Sequence, residues 1–379
     1  MWPGTGQPRR VAVPEPGADM EPKGGVGVDV IIAVHSTERP IARAVRSVLD
    51  RNGEGVRLTV VCHNIGADEI GPLLDAHHRD QVRFLEHRDP YRSASGPFNA
   101  GIDLATAEYV AIMGSDDTLL PGAISSWFWL ARRTGADAVV ARLVLGLEHR
   151  MVRTPPTRPF RRKELDPVAD RLSYRSAPLG LVSRAAITRL GLRLEERAQV
   201  GGDVGFVTRL WFGGKAVFDR WGPAYVIGED AADRVTYVQR PIKDELRFLR
   251  RLVRQPWFEA LTLEQRRSAC VKFIRIHLFG AVHNRNDPEF WTDAERASLA
   301  KVARRLLDAA PGVEAVLSLA DRRLLDAILG RSGNAERLIS LALQRRRHGH
   351  PSTVITRDLT QMFATEAPLR LMAASFLTR

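Results

Sequence analysis

The chain has 379 residues, 44% of them hydrophobic and 26% charged, with a net charge of +12 and a pI near 10.4. That length exceeds one ordinary core and predicts two domains. The only cysteines are Cys62 and Cys270, which excludes a disulfide framework and a paired-cysteine zinc site and fits a reducing compartment. No window approaches the ~18 apolar residues of a membrane span, and the N-terminus lacks the apolar run of a signal peptide, so the expected location is the cytosol. The basic excess attracts nucleic acid, anionic lipid or acidic small molecules, and it is concentrated late in the chain: residues 241–379 hold 24 Lys and Arg against 15 Asp and Glu.

Residues 1 to about 27 are rich in Pro and Gly without periodicity and read as a disordered leader. The run VDVIIAVH (28–35) then predicts a strand buried on both faces. A helix follows with Ile41, Val45, Val48 and Leu49 on one face and Gly53 as its stop. Further strands are predicted at 56–65, 82–88 and 108–114, separated by helices over ADEIGPLLDAHHRD and GPFNAGIDLAT. After them come the helix PGAISSWFWLARRTG and the strand ADAVVARLVLG. Alternation at this spacing predicts a mainly parallel sheet with helices on both faces. The polar, Pro-containing segment 149–178 reads as a mobile excursion. From about 241 the period is helical throughout, with stripes at Ile242, Leu246, Leu249 and Val253, at Leu299, Val302 and Leu306, and at Leu324, Leu325 and Ile328. The expected organisation is a leader (1–27), an α/β domain (28–240) and an all-α domain (241–379).

Ligands of such sheets bind beyond the carboxyl ends of the strands. Asp116 and Asp117 stand just past one of those ends, in AIMGSDDTLLPGA. Two adjacent carboxylates near a buried strand repel unless a cation, donors or water offset the charge. A hard divalent cation is one answer, and capping of the following helix by Asp117 or Thr118 is the other.

VDVIIAVHSTERPIARAVRSVL, FNAGIDLATAEYVAIMGSDDTLLPGAI and the later GGDVGFVTRLWFGG, in this order, resemble family-two glycosyltransferases of the GT-A fold over about residues 28–240. The resemblance implies transfer of a sugar from a nucleoside diphosphate donor to an acceptor hydroxyl with inversion. It implies an Mn or Mg ion on Asp116 and Asp117 and a catalytic base at Asp203, which is also positioned to cap its own helix. It also implies that Val34, His35, Thr37 and Arg39 face the nucleotide, with His63, Asn64, Asn99, Ser115 and Asp116 nearby. Asp230 or Asp233 is a further candidate for the metal, and Arg234 for the diphosphate. Gly114 and Gly202 stand where the family often has acids, and Phe98 where it often has arginine.

The basic clusters at Arg247, Arg250, Arg251 and Arg254 and at LQRRRHGH read either as a solvated face or as contact with an anionic polymer or a lipid phosphate acceptor at a membrane surface. The expected partners are a nucleoside diphosphate sugar and a cell-envelope glycan, polymer or lipid-linked acceptor. Acceptor choice is expected from the excursion and the helical domain. Two alternatives stay open: a catalytically degenerate GT-A domain that binds glycan or scaffolds other enzymes, and a nucleic-acid-binding protein. The second lacks a zinc finger, an RNA-binding motif or basic residues interleaved with stacking aromatics.

Overall fold

The computed structural model describes residues 25–52, 55–158, 164–230, 239–330 and 334–377. The expected leader lies almost wholly outside them. The main sheet is built from β1 (Val28–Val34), β2 (Val56–His63), β3 (Val82–His87), β4 (Tyr109–Gly114), β6 (Ala138–Ala141), β9 (Gly180–Ser183) and β10 (Ala216–Asp219). A smaller sheet holds β5 (Thr118–Leu119), β7 (Leu143–Leu145), β8 (Arg150–Val152) and β11 (Tyr225–Ile227). The main order is β10-β6-β9-β4-β1-β2-β3, parallel except for β9, which runs against β4 and β6. Side chains alternate across the strands. In β1, Val30, Ile32 and Val34 face the layer containing the helices Ile41–Asn52 and Ala123–Thr134. Ile31 faces the layer containing Ser95–Leu104 and Val204–Gly213. The register aligns Ala33 with Gly114 and Val34 with Cys62, so the carboxyl ends of β1, β2 and β4 form one edge.

Three expectations change. ADAVVARLVLG is two strands, not one: the chain leaves the main sheet at Arg142 and enters the smaller one. ADEIGPLLDAHHRD is not one helix, since Pro72 tightens its middle into a 3-10 turn and Asp75 starts a fresh helix by accepting from the His78 N–H. The 149–178 excursion, read as mobile, is anchored in its described residues. Asp170 is fully buried and takes two bonds from the Arg158 guanidinium, at 2.9 and 2.7 Å. Buried Arg171 donates to the carbonyls of Thr365 and Pro156. The polarity that suggested a loop instead serves internal pairing.

The C-terminal residues are helical, and the three predicted stripes are all buried. The first stripe runs over two short helices, Ile242–Glu245 and Arg247–Leu252, and their cap residues Leu246 and Val253; a third, Pro256–Glu259, follows, opening at a proline that cannot continue a preceding helix. Later come Leu263–Lys272, a π-helical stretch Phe273–Leu278, Asp293–Ala309, Leu319–Gly330 and Ala335–Gln344. Val204 packs into this helical core, while Phe206, Val207, Leu210 and Trp211 of the same helix pack into the sheet core. Among the described residues no helix is long and apolar enough to cross a membrane.

Candidate active site

The two adjacent carboxylates have separate environments. Asp117 turns inward: the Tyr225 hydroxyl donates to its Oδ2 at 2.5 Å, and the backbone N–H groups of Gly228 and Gly114 donate to it at 2.9 and 3.3 Å. Burial pushes its carboxyl above the ordinary value, and the Tyr225 bond opposes that rise. Asp117 thus ties β4 to the end of β11, and both of its oxygens are engaged. Asp116 faces the strand-end edge instead, where its Oδ1 lies 2.7 Å from Arg39 Nη2. Arg39 also donates to buried Ser115, at 3.1 Å. Arg43 donates to the Asp116 carbonyl at 2.8 Å and grips Asp230 with two bonds, at 2.6 and 2.9 Å. Gly114 leaves no room for a side chain, because a Cβ would stand 2.6 Å from Asp117 Oδ2 and 3.0 Å from Asp116 Oδ1.

Among the described residues no three His, Cys, Asp or Glu side chains are arranged to hold a metal. Asp116 is the single carboxylate of the adjacent pair left to coordinate. The residues therefore fit a hard divalent cation when a diphosphate completes the shell, the arrangement typical of Mg on one or two carboxylates plus substrate phosphates.

The loop after β1 divides. Val34 is a core residue and can meet a ligand only through its backbone, whereas His35 and Thr37 are exposed. At the end of β2, His63 and Asn64 are engaged with Asp89: His63 Nε2 is 3.0 Å from its Oδ1, and Asn64 exchanges bonds with its backbone. His87 holds the other Asp89 oxygen at 2.9 Å. Asp89 was not singled out from the sequence; its place just after a strand end was the available signal. It brings a carboxylate to the strand end where Cys62, His63 and Asn64 supply none. Asn99 is fully buried and its amide is spent on the 194–196 loop, donating to Leu194 O and Glu196 and accepting from the Leu194 N–H. Its place is therefore behind that loop. Asp233 and Arg234 lie outside the described residues.

Asp203 precedes the helix Val204–Gly213 as its N-cap residue, but its side chain makes no capping bond. Its loop is wedged tightly. A Cβ on Gly202 would collide with Ser95 Oγ, and one on Gly201 would lie 2.7 Å from the Phe248 ring. Gly201 also has φ +72°, a conformation that favours glycine. Glu195 donates its N–H to Gly202 O at 2.8 Å. Burial pushes the Asp203 carboxyl up, and the ammonium of Lys272 pulls it back down. Lys272 is itself buried, which brings its pKa down to about 8, and its Nζ lies 2.8 Å from His277 Nε2. Burial and this ammonium hold His277 well below its ordinary pKa, so its neutral ring accepts the bond. His277 stacks edge-on with Phe248 at 5.1 Å, which closes the path back to Gly201. Sequence periodicity gave no sign of this link, because Lys272 lies 69 residues beyond Asp203.

The N-terminus of Ser95–Leu104 joins the two parts of the site. Ser95 abuts Gly202, and Gly96 sits so close to Asp89 and His87 that no side chain fits between them.

Comparison with known proteins gives this geometry a family. Residues 29–191 match the model for Glycosyl transferase family 2. Over 127 residues the chain is 32% identical to the succinoglycan biosynthesis protein ExoO of Rhizobium meliloti (strain 1021), covering 33% of this chain and 36% of that protein. Over 115 residues it is 24% identical to the glycosyltransferase GlyG of Streptococcus pneumoniae serotype 4, covering 30% and 38%. The matches thus span little more than a third of those relatives. Among solved structures, S. aureus TarS 1–349 with UDP-GlcNAc superposes with a TM-score of 0.67 at 13% identity, covering 84% of this chain and 91% of that one, a likeness of fold. This chain carries a family 2 glycosyltransferase domain of GT-A fold, followed by a helical region.

Proposed function

We propose that the protein is a metal-dependent, inverting glycosyltransferase that moves a sugar from a nucleoside diphosphate donor to an acceptor hydroxyl of a cell-envelope glycan or polymer. The observation that carries this reading is the convergence of Arg39 and Arg43 on Asp116 at the carboxyl edge of β1 and β4. Two guanidinium groups match the charge and fork geometry of a diphosphate. A divalent ion bound there would supply Lewis-acid neutralisation of the leaving diphosphate. Asp203 takes the proton from the acceptor hydroxyl as its oxygen bonds to the anomeric carbon, and the bond to the diphosphate breaks on the opposite face. Phe248 and the glycines hold that carboxylate in place. The protein works in the cytoplasm, where its basic helical region can rest on an anionic membrane face. The named roles of ExoO and the UDP-GlcNAc bound to TarS support a polysaccharide acceptor and a nucleotide-sugar donor.

Thermal-shift titration with uridine and guanosine diphosphates, with and without manganese, tests the reading, since a bound ligand raises stability by RT ln(1 + [L]/Kd). A metal-dependent rise with at least one nucleotide, and slow donor hydrolysis in the same preparation, are expected. Nucleotide binding without any hydrolysis or transfer would leave a degenerate binding domain.

A further inference from the structure

The helical region contains a cleft whose composition the donor site does not explain. Lys243, Arg247, Arg250, Arg251 and Arg254 line one wall of a cavity of about 590 Å³, and Lys301 and Arg305 line the facing wall. No acidic residue lines it. It continues into a second cavity of about 870 Å³ that shares Arg254, Lys301 and Arg305 and adds Arg266 and Arg304, with Glu259 and Asp308 as its acids. Like charges so placed repel, and the structure relieves little of this. Arg247 pairs with Asp244 and Arg251 with Glu195, but Arg254, Lys301 and Arg305 make no ion pair among the described residues. The Arg250 Nε is buried without a partner, and burial together with Arg305 and Arg247 lowers the pKa of its guanidinium.

We propose that this cleft binds an acceptor polymer carrying repeated anionic groups and presents its end to Asp203. Two observations choose a polymer over a single anion. The cations are spread over four helices through two joined cavities, whereas one phosphate is satisfied by two or three of them. The cleft also adjoins the catalytic loop: the helix Arg247–Leu252 carries the cleft arginines on one side and Phe248, packed on Gly201, on the other. Arg251 bonds Glu195 at 2.6 Å, and Glu195 donates to Gly202, the neighbour of Asp203. The assignment of this polymer as acceptor rests on the glycosyltransferase reading above; the anion site itself does not.

The test is equilibrium binding of inorganic polyphosphate to the full chain, beside inorganic phosphate at equal phosphorus concentration and vesicles of phosphatidylglycerol. Lys301→Glu/Arg305→Glu should weaken polyphosphate binding at least ten-fold and reduce the slope of log Kd against log salt by about two, one per cation removed. Arg346→Glu/Arg347→Glu, an equal charge change on the exposed LQRRRHGH cluster, should stay within two-fold of wild type. The milder Lys301→Gln/Arg254→Gln serves if the reversal misfolds. Equal weakening in the cleft and control variants, phosphate binding as tight as polyphosphate, or cleft-dependent binding of vesicles alone would each overturn the proposal. Nucleoside diphosphate affinity is measured in parallel. Its loss in wild type with polyphosphate binding intact would remove the enzyme reading and leave the anion site, and the reverse pattern would remove the cleft alone.

Discussion

Arg39 and Asp116 form an ion pair at 2.7 Å across the ends of β1 and β4, with both side chains mostly sheltered from solvent. The pair occupies the carboxylate that would hold a cation, so metal-dependent donor binding would require Arg39 to release Asp116 and turn to the diphosphate. Asp116→Asn should remove metal-dependent nucleoside diphosphate binding with little change in melting temperature, because the side chain lies at the edge and not in a core. Calorimetric titration with manganese, on wild type and variant, is the check. Equal metal-dependent affinities would sink the assignment.

Asp203→Asn separates chemistry from capping. The native side chain makes no capping bond, so the substitution has none to lose. Donor affinity should hold, with some stability lost because the buried Lys272 keeps no counter-charge, while single-turnover transfer slows by ~10²-fold or more, the usual scale for loss of a general base. Transfer within a few-fold of wild type would send the search for the base to Asp230 and Asp233.

Lys272 should reveal itself through pH. Its ammonium lowers the raised pKa of Asp203, so Lys272→Met should move the acidic limb of the transfer rate to higher pH, with the alkaline limb as internal reference. Stability gives a second sign. The folded pKa of Lys272 is about 8 against 10.5 for the free group, so the unfolded chain holds the extra proton between those values. The stability of wild type relative to Lys272→Met should therefore rise with pH across that window and level off on both sides, highest above 10.5 and lowest below about 8. Urea unfolding at several pH values measures it, and a pH-independent difference would refute it.

Tyr225→Phe should leave the half-buried Asp117 short of its shortest hydrogen bond. The expected cost is about 1–3 kcal/mol of unfolding free energy, the range for a buried polar group that loses its partner. Chemical denaturation reads this directly, and a cost near zero would mean that water replaces the hydroxyl.

The central strands were legible because they are apolar runs buried on two faces, a local signal that β1 carries almost throughout and β2 over residues 58–63. Asp116 and Asp203 stood out as candidates for the same local reason, each standing at a strand or helix end within a recognisable string. Their partners did not. Arg43 with Asp230, Tyr225 with Asp117, and Lys272 beside Asp203 join positions far apart in sequence, and nothing in a local window marks them. Asn99 shows the converse: it matched a pattern, yet its amide is consumed by the 194–196 loop. The Arg158–Asp170 pair made a polar stretch look loose when its charges satisfy each other.

The helix Val204–Gly213 divides its side chains between two cores, Val204 among the C-terminal helices and Trp211 against the sheet. A blade severing the chain near residue 240 would therefore not release an independent catalytic module. It would strip the cover from Val204, remove the Phe248 ring from Gly201, and free the loop that carries Asp203. Melting of the helical half and loss of transfer should then share one cooperative transition, so heat inactivation would report on the C-terminal helices as well as on the sheet.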